Sequence, residues 1–277
     1  MTRFPRSFLS GLVSLLAVVV LPLASQGAEE ASPIPGWQVG ESVNYTTGTY
    51  GTGNRTTTLY LPLTMRRLFG NGDLALVIPF VTITSNCGVT LVSGVPLQTN
   101  GLCPQQPSGK FPTRVTNSGL GDVLLRGRYT VLQESGVMPS VALTARVKIP
   151  TADRDRGLGT GEWDEGLGLT LTKSLTKELL GFADAGYTFI GNPPGSDLRN
   201  QWSYDIGLGY ILTSSVLISV YYEEARALVA GFQNPRDILT SMTWAMTSAL
   251  RFTTSFEAGL STGAPEYAVN VGLSIRF

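Results

Sequence analysis

The 277-residue sequence predicts an all-β protein, a transmembrane antiparallel up-and-down β-barrel of about 12 strands with short periplasmic turns and longer extracellular loops. Three observations predict it. The chain opens on an export leader, period-two alternation runs through nearly everything that follows, and the connections between alternating segments are short and long in turn.

In the leader, Arg3 and Arg6 precede an almost unbroken apolar run from Phe8 to Leu23, and Ser25, Gln26 and Gly27 follow around the cleavage point. That is the pattern of a secretory signal peptide, over residues 1–28. A membrane-anchoring helix needs about 20 apolar residues, whereas this run is shorter and breaks at Pro22. Residues 29–36 then read as a short periplasmic segment and 37–277 as the barrel. A closed barrel is the one structure other than a helix that satisfies its own backbone inside lipid.

Composition agrees. Charged residues make up 14% of the chain, against roughly 25% in soluble domains, and Lys110, Lys148, Lys173 and Lys177 are its only lysines. Formal net charge is zero, so nothing points to nucleic acid as a partner. The expected surroundings are the lipid of a bacterial outer membrane.

Alternation places strands near 37–46, 57–67, 73–83, 120–132, 139–149, 163–172, 180–190, 201–212, 216–225, 237–245, 250–260 and 267–277. In 201–212, for example, Trp202, Tyr204, Ile206, Leu208 and Tyr210 share one face, and Ser203, Asp205, Gly207 and Gly209 share the other. The count is even and the lengths lie near the roughly 9–11 residues of a tilted crossing. Between strands, compact turns such as Asn71-Gly72 and Thr213 to Ser215 alternate with longer loops, the longest at 84–119. Both termini are then expected in the periplasm. Aromatic residues near strand ends, Trp37, Trp163, Tyr187, Phe189 and Trp202, read as interfacial girdles.

Histidine is absent. Ser-His-Asp hydrolysis, Cys-His chemistry and most zinc hydrolysis need an imidazole, so no enzyme, cofactor or metal is expected. The polar faces do carry ordered charge. Arg126 and Arg128 on one strand and Arg146 and Lys148 on its hairpin partner should project into one part of the lumen, while Asp164, Asp184, Asp205 and Glu223 occupy inward positions on the next four strands. Two readings stay open: a constriction whose transverse field selects solutes, or a salt-bridged network filling a narrow barrel.

Cys87 and Cys103 are the only cysteines, an even pair in an exported chain, and default to a disulfide within the long loop. That loop either folds into the mouth as a partial plug or caps it from outside. At the C-terminus Tyr267, Leu273, Ile275 and Phe277 lie on one face of an alternating strand. This strand should pair with 37–46 and close the barrel, and its terminal aromatic resembles the signal that barrel-assembly machinery reads.

The segments "GLGDVLLRGRY" (Gly119 to Tyr129), "KIPTADRDRGLGTGEWDEGLGLTLTKSL" (Lys148 to Leu175) and "AGYTFIG" (Ala185 to Gly191) resemble outer-membrane proteins assigned to the meta-cleavage (MetA) pathway of phenol degradation and labelled as transporters. The resemblance implies an outer-membrane barrel and passage of small aromatic or hydrophobic solutes. A passive channel for such solutes is the leading expectation; a closed structural or surface-binding barrel acting through its loops is the alternative.

Overall fold

The computed structural model describes residues 36–85, 89–98 and 114–277. The expected leader and periplasmic segment, Cys87 and Cys103 lie outside the described residues. Fifteen strands are present among them: β1 (Gly36–Gly48), β2 (Thr56–Phe69), β3 (Gly72–Ser85), β4 (Val89–Val92), β5 (Val95–Gln98), β6 (Val115–Leu120), β7 (Val123–Leu132), β8 (Ser140–Ile149), β9 (Asp164–Ser174), β10 (Leu179–Phe189), β11 (Gln201–Thr213), β12 (Val216–Ala225), β13 (Arg236–Ala245), β14 (Leu250–Gly259) and β15 (Tyr267–Arg276). No helix occurs among the described residues.

Twelve of the wall positions form a closed antiparallel barrel. β6 and β7 are collinear halves of one wall strand, both paired with β3. The seam joins first and last: Gln38 stands opposite Arg276 and Thr47 opposite Tyr267. Trp37 and Phe277 exchange two backbone hydrogen bonds, of 2.8 and 2.9 Å, so the last residue is bonded into the wall.

Alternation alone does not say which face is out. Exposure decides it: Ile206 is 62% exposed and Asp205 beside it 1%. The same holds round the barrel, with Leu63, Leu143, Leu167, Leu208, Val220, Phe256 and Leu273 outward and Ser42, Thr144, Thr170, Ser219, Ser255 and Asn270 inward. A continuous apolar outer band and a polar interior are the inverse of a soluble barrel and fit lipid. Aromatic residues rim this band. Trp202 stacks on Tyr204 and Tyr187 meets Phe189 at the long-loop end, and Trp37, with Arg67 over its ring, stands at the turn end.

Two departures from the expected strands matter for the interior. The strand expected over 120–132 starts earlier, at Val115, and breaks at Gly121 and Asp122. There the Gly121 amide donates to the Pro79 carbonyl and the facing parity shifts, from odd residues inward on β6 to even residues inward on β7, as in a β-bulge. The shift turns Asp122 into the lumen side. The second departure lies in the segment expected as a loop over 84–119. Its described middle is the hairpin β4–β5, closed by Ser93 and Gly94 with positive φ at both turn positions, as a two-residue hairpin turn requires.

Candidate functional site: the lumen and its mouth

Of the two places open to the long loop, the hairpin occupies the inner one. Leu91 packs with Tyr60, Val77, Val81 and Ile83, all inward residues of β2 and β3, and with Leu158. Val92, Val95 and Leu97 pack with Tyr50, Ile190 and Leu228 from three other connections. One backbone bond, from the Leu91 amide to the Gly157 carbonyl, ties the hairpin to the 150–163 loop. Apolar contact thus holds most of it across the mouth.

Below the hairpin the lumen is polar, and its charges fall into two sets. On the basic side Lys148 lies 2.8 Å from Asp164 and 3.4 Å from Asp122, and it donates to the Thr160 hydroxyl. Thr151 completes this clasp, its hydroxyl donating to the Gly121 carbonyl while accepting from the Val123 amide. Asp122 also accepts from the Ala152 amide. Residue 159 has to be glycine here, because a Cβ would come within 2.8 Å of the Asp122 carboxylate. Near the turn end Arg128 and Arg66 both reach Asp73, at 3.1 and 3.5 Å. Arg146 donates to the Thr188 hydroxyl, and Arg126 has no hydrogen-bond or ion-pair partner among the described residues.

On the acidic side Asp184, Asp205, Glu223 and Asp237 stand directly opposite one another across β10, β11, β12 and β13. Glu257 continues the set on β14. All five are buried. Thr170 donates to Asp184, and the carboxyl groups of Asp184 and Asp205, like those of Glu223 and Asp237, lie within hydrogen-bonding reach of each other, a contact that needs a proton on one of each pair.

Arg126, Arg128, Arg146, Lys148, Asp164, Asp184, Asp205 and Glu223 all occupy inward positions of the wall, and the charges divide differently from the two walls expected. Asp164 belongs to the basic side, as the counter-ion of Lys148. Asp73, Asp122, Asp237 and Glu257 complete the pattern and were not singled out from the sequence. Parity could have found Asp237 and Glu257, which share inward positions with Ser241 and Ser255. In the order of twelve wall strands, β7 lies opposite β13 and β8 opposite β14, so Arg126 and Arg146 sit across the barrel from Asp237 and Glu257.

The rest of the interior divides between packing and space. Phe182 stacks on Tyr221 at 5.5 Å, beside Leu180, Leu217 and Leu239. Gly207 permits this, since a Cβ there would lie 2.2 Å from the Tyr221 ring. Along the seam the wall carries Gly40, Ser42, Gly272 and Ser274, and about 460 Å³ of open space lies against them, bounded by Gln38, Thr64 and Arg66.

A closed twelve-strand antiparallel barrel with an apolar outer band and a polar, charge-lined interior has the fold of an outer-membrane β-barrel. More particularly, the chain belongs to the family described as "Putative MetA-pathway of phenol degradation", whose sequence profile matches residues 91–277. The match contains the whole Asp122–Lys148–Asp164 clasp. The fold is similar to that of the COG4313 outer membrane channel from Pseudomonas putida F1, with a TM-score of 0.69 and 13% identity over 91% of this chain and 98% of that one. It is also similar to the KdgM porin, with a TM-score of 0.52 and 8% identity over 87% and 99% of the two chains. The translocator domain of the autotransporter NalP from Neisseria meningitidis gives a TM-score of 0.54 and 11% identity, over 92% of each. Among curated proteins, none matches the sequence.

Proposed function

We propose that the protein is a passive outer-membrane channel for small hydrophobic solutes, aromatic compounds among them, with its termini and short turns in the periplasm. The observation that carries this is the open space along the seam. A barrel serving only as a structural wall would fill its interior with side chains, whereas the seam strands present Gly40, Ser42, Gly272 and Ser274 to open space in the lumen. Arg126 and Arg146 facing Asp184, Asp205, Glu223, Asp237 and Glu257 would form the constriction, their transverse field disfavouring ions relative to neutral solutes of the same size. Family membership supports the aromatic solute class. A disulfide between Cys87 and Cys103, which bracket the hairpin in sequence, would tether it in the mouth.

The buried hairpin favours a second reading, a barrel closed at the mouth that acts through its loops. Planar-bilayer recording of the full chain and of a variant lacking residues 89–98 separates them. The channel reading expects measurable conductance, raised several-fold by the deletion. Silence from both proteins, together with unchanged solute uptake by cells lacking the protein, would leave the closed barrel.

A further inference from the structure

One register row crosses the basic side of the lumen from β2 to β10. Arg66 stands opposite Ala75, Ala75 opposite Arg126, Arg126 opposite Arg146, Arg146 opposite Gly166, and Gly166 opposite Thr188. All six are inward positions. Three guanidinium groups therefore share one level of the barrel, with only the methyl group of Ala75 between them. Arg126 and Arg146 are direct cross-strand neighbours, a pairing that sets Cβ atoms about 5 Å apart and is destabilising for like charges.

The acidic groups on this side are engaged elsewhere. Asp73 takes Arg128 and Arg66, and Asp122 and Asp164 take Lys148. Arg146 turns along the wall, its stem so close over Gly166 that a Cβ there would lie 2.8 Å from it, and its end on the Thr188 hydroxyl. Arg126 is left with five N–H donors and, among the described residues, no acceptor. The charges that act on it most directly are Arg66 and Arg146, both cationic, and the Tyr60 phenol stands beside it. Asp237 and Glu257 face it only from across the barrel, on β13 and β14.

The row is also reachable. Arg66 and Ala75 are each 2% exposed, whereas Arg126 and Arg146 keep accessible surface on the lumen side. Arg66 at the end of the row borders the open space along the seam. A guanidinium that has cations for neighbours and no acceptor costs stability, and a bound anion offsets that cost. The planar fork of donors matches a planar oxyanion through two parallel bonds. One negative charge suits the site better than two, because the carboxyl groups of the ladder face it across the lumen.

We propose that the lumen binds the carboxylate of a small monocarboxylic acid, with its oxygens on the Arg126 guanidinium and Arg146 beside it. The inference goes beyond the channel reading, which concerns neutral solutes. A carboxylate on Arg126 is an ion held in the constriction, not one passing through it.

Ligand-observed fluorine NMR on the full chain in lipid nanodiscs tests it, with fluoroacetate as the probe and empty nanodiscs as the control. Saturable binding to the parent is expected, displaced by formate and not by chloride at equal ionic strength. Arg126→Gln should weaken it at least about tenfold, the scale of one charge-assisted hydrogen bond. Arg126→Lys should weaken it by a smaller factor, since an ammonium keeps the charge and loses the fork. Arg154→Gln removes the same charge from an exposed loop position and should leave binding unchanged. Because Arg126→Gln takes one cation out of a cationic row, the variant should fold at least as well as the parent. No saturation of the parent, binding that survives Arg126→Gln or falls equally in Arg154→Gln, or displacement by chloride as strong as by formate would overturn the site. Vesicle flux of a neutral solute, measured in parallel, keeps the two ideas apart. Flux without saturable binding defeats the site alone, and binding lost in Arg126→Gln without flux upholds the site while defeating the channel.

Discussion

The two sides of the lumen carry opposite charge and treat it in opposite ways. Around β3, β7, β8 and β9, Arg66, Arg128 and Lys148 are matched within 3.5 Å to Asp73, Asp122 or Asp164. Across β10 to β13 four carboxylates stand against one another, and no ion pair among the described residues reaches them. A pair already made in the wall serves the wall. Carboxyl groups that face one another without a cation keep their capacity for water and solute, at a cost in folding stability. On that difference, the Asp122–Lys148–Asp164 clasp is expected to act as folding chemistry, and the carboxylate ladder to be the part of the interior open to water and solute.

The sharpest way to break that comparison is to remove the central cation. Lys148→Met would leave Asp122 and Asp164 together without a counter-ion at a site where Lys148 is 4% exposed. Removing one partner of a buried pair typically costs 3–5 kcal/mol, and a loss of about 3 kcal/mol is expected in urea unfolding from lipid vesicles. A loss under about 1 kcal/mol would show that the clasp does not hold the wall.

The ladder should answer the same assay with the opposite sign. Asp205 faces Asp184 on one side and Glu223 on the other, and like charges directly opposite in a sheet are destabilising by up to about 1 kcal/mol. Asp205→Asn should therefore leave stability unchanged or raise it by roughly that amount. If it costs as much as Lys148→Met, the ladder is a structural network and the two sides are alike.

Much of this was legible in the sequence, for a physical reason. A strand with one face in lipid and the other in a polar lumen must alternate, so Asp205 and Glu223 declare their direction through the outward Ile206 and Tyr222 beside them. What stayed hidden breaks that rule. Asp122 faces inward only because Gly121 interrupts the wall strand and shifts parity, and the shift depends on the Gly121 amide reaching Pro79, a residue far away in the chain. The hairpin was read as loop because its residues are buried on both faces, so no two-sided pattern marks it. Ser93-Gly94 between two valine-rich runs was the only local signal. Tyr50 carries no pattern at all: its burial comes from the contact of three connections with the hairpin.

The smallest expected effect lies outside the lumen, where the same pairing chemistry meets water. In the turn between β7 and β8, Glu134 accepts from Lys173 at 2.7 Å and from the amide and hydroxyl of Ser174 at 3.0 and 2.9 Å. Burial alone would raise its carboxyl, but these bonds more than offset that and hold it below its ordinary value of 4.5. The folded state then binds the proton more weakly than the unfolded one. Its contribution is complete above the ordinary carboxylate range and is lost as pH falls through the folded value. Glu134→Gln should cost about 0.5 kcal/mol at neutral pH, the scale of a solvent-screened pair, and should converge with the parent in acid below the folded value. Unfolding at the two pH values checks both expectations. A deficit that persists in acid would assign Glu134 to packing, and one as large as that of Lys148→Met would mean that burial is not what separates the clasp from an ordinary surface pair.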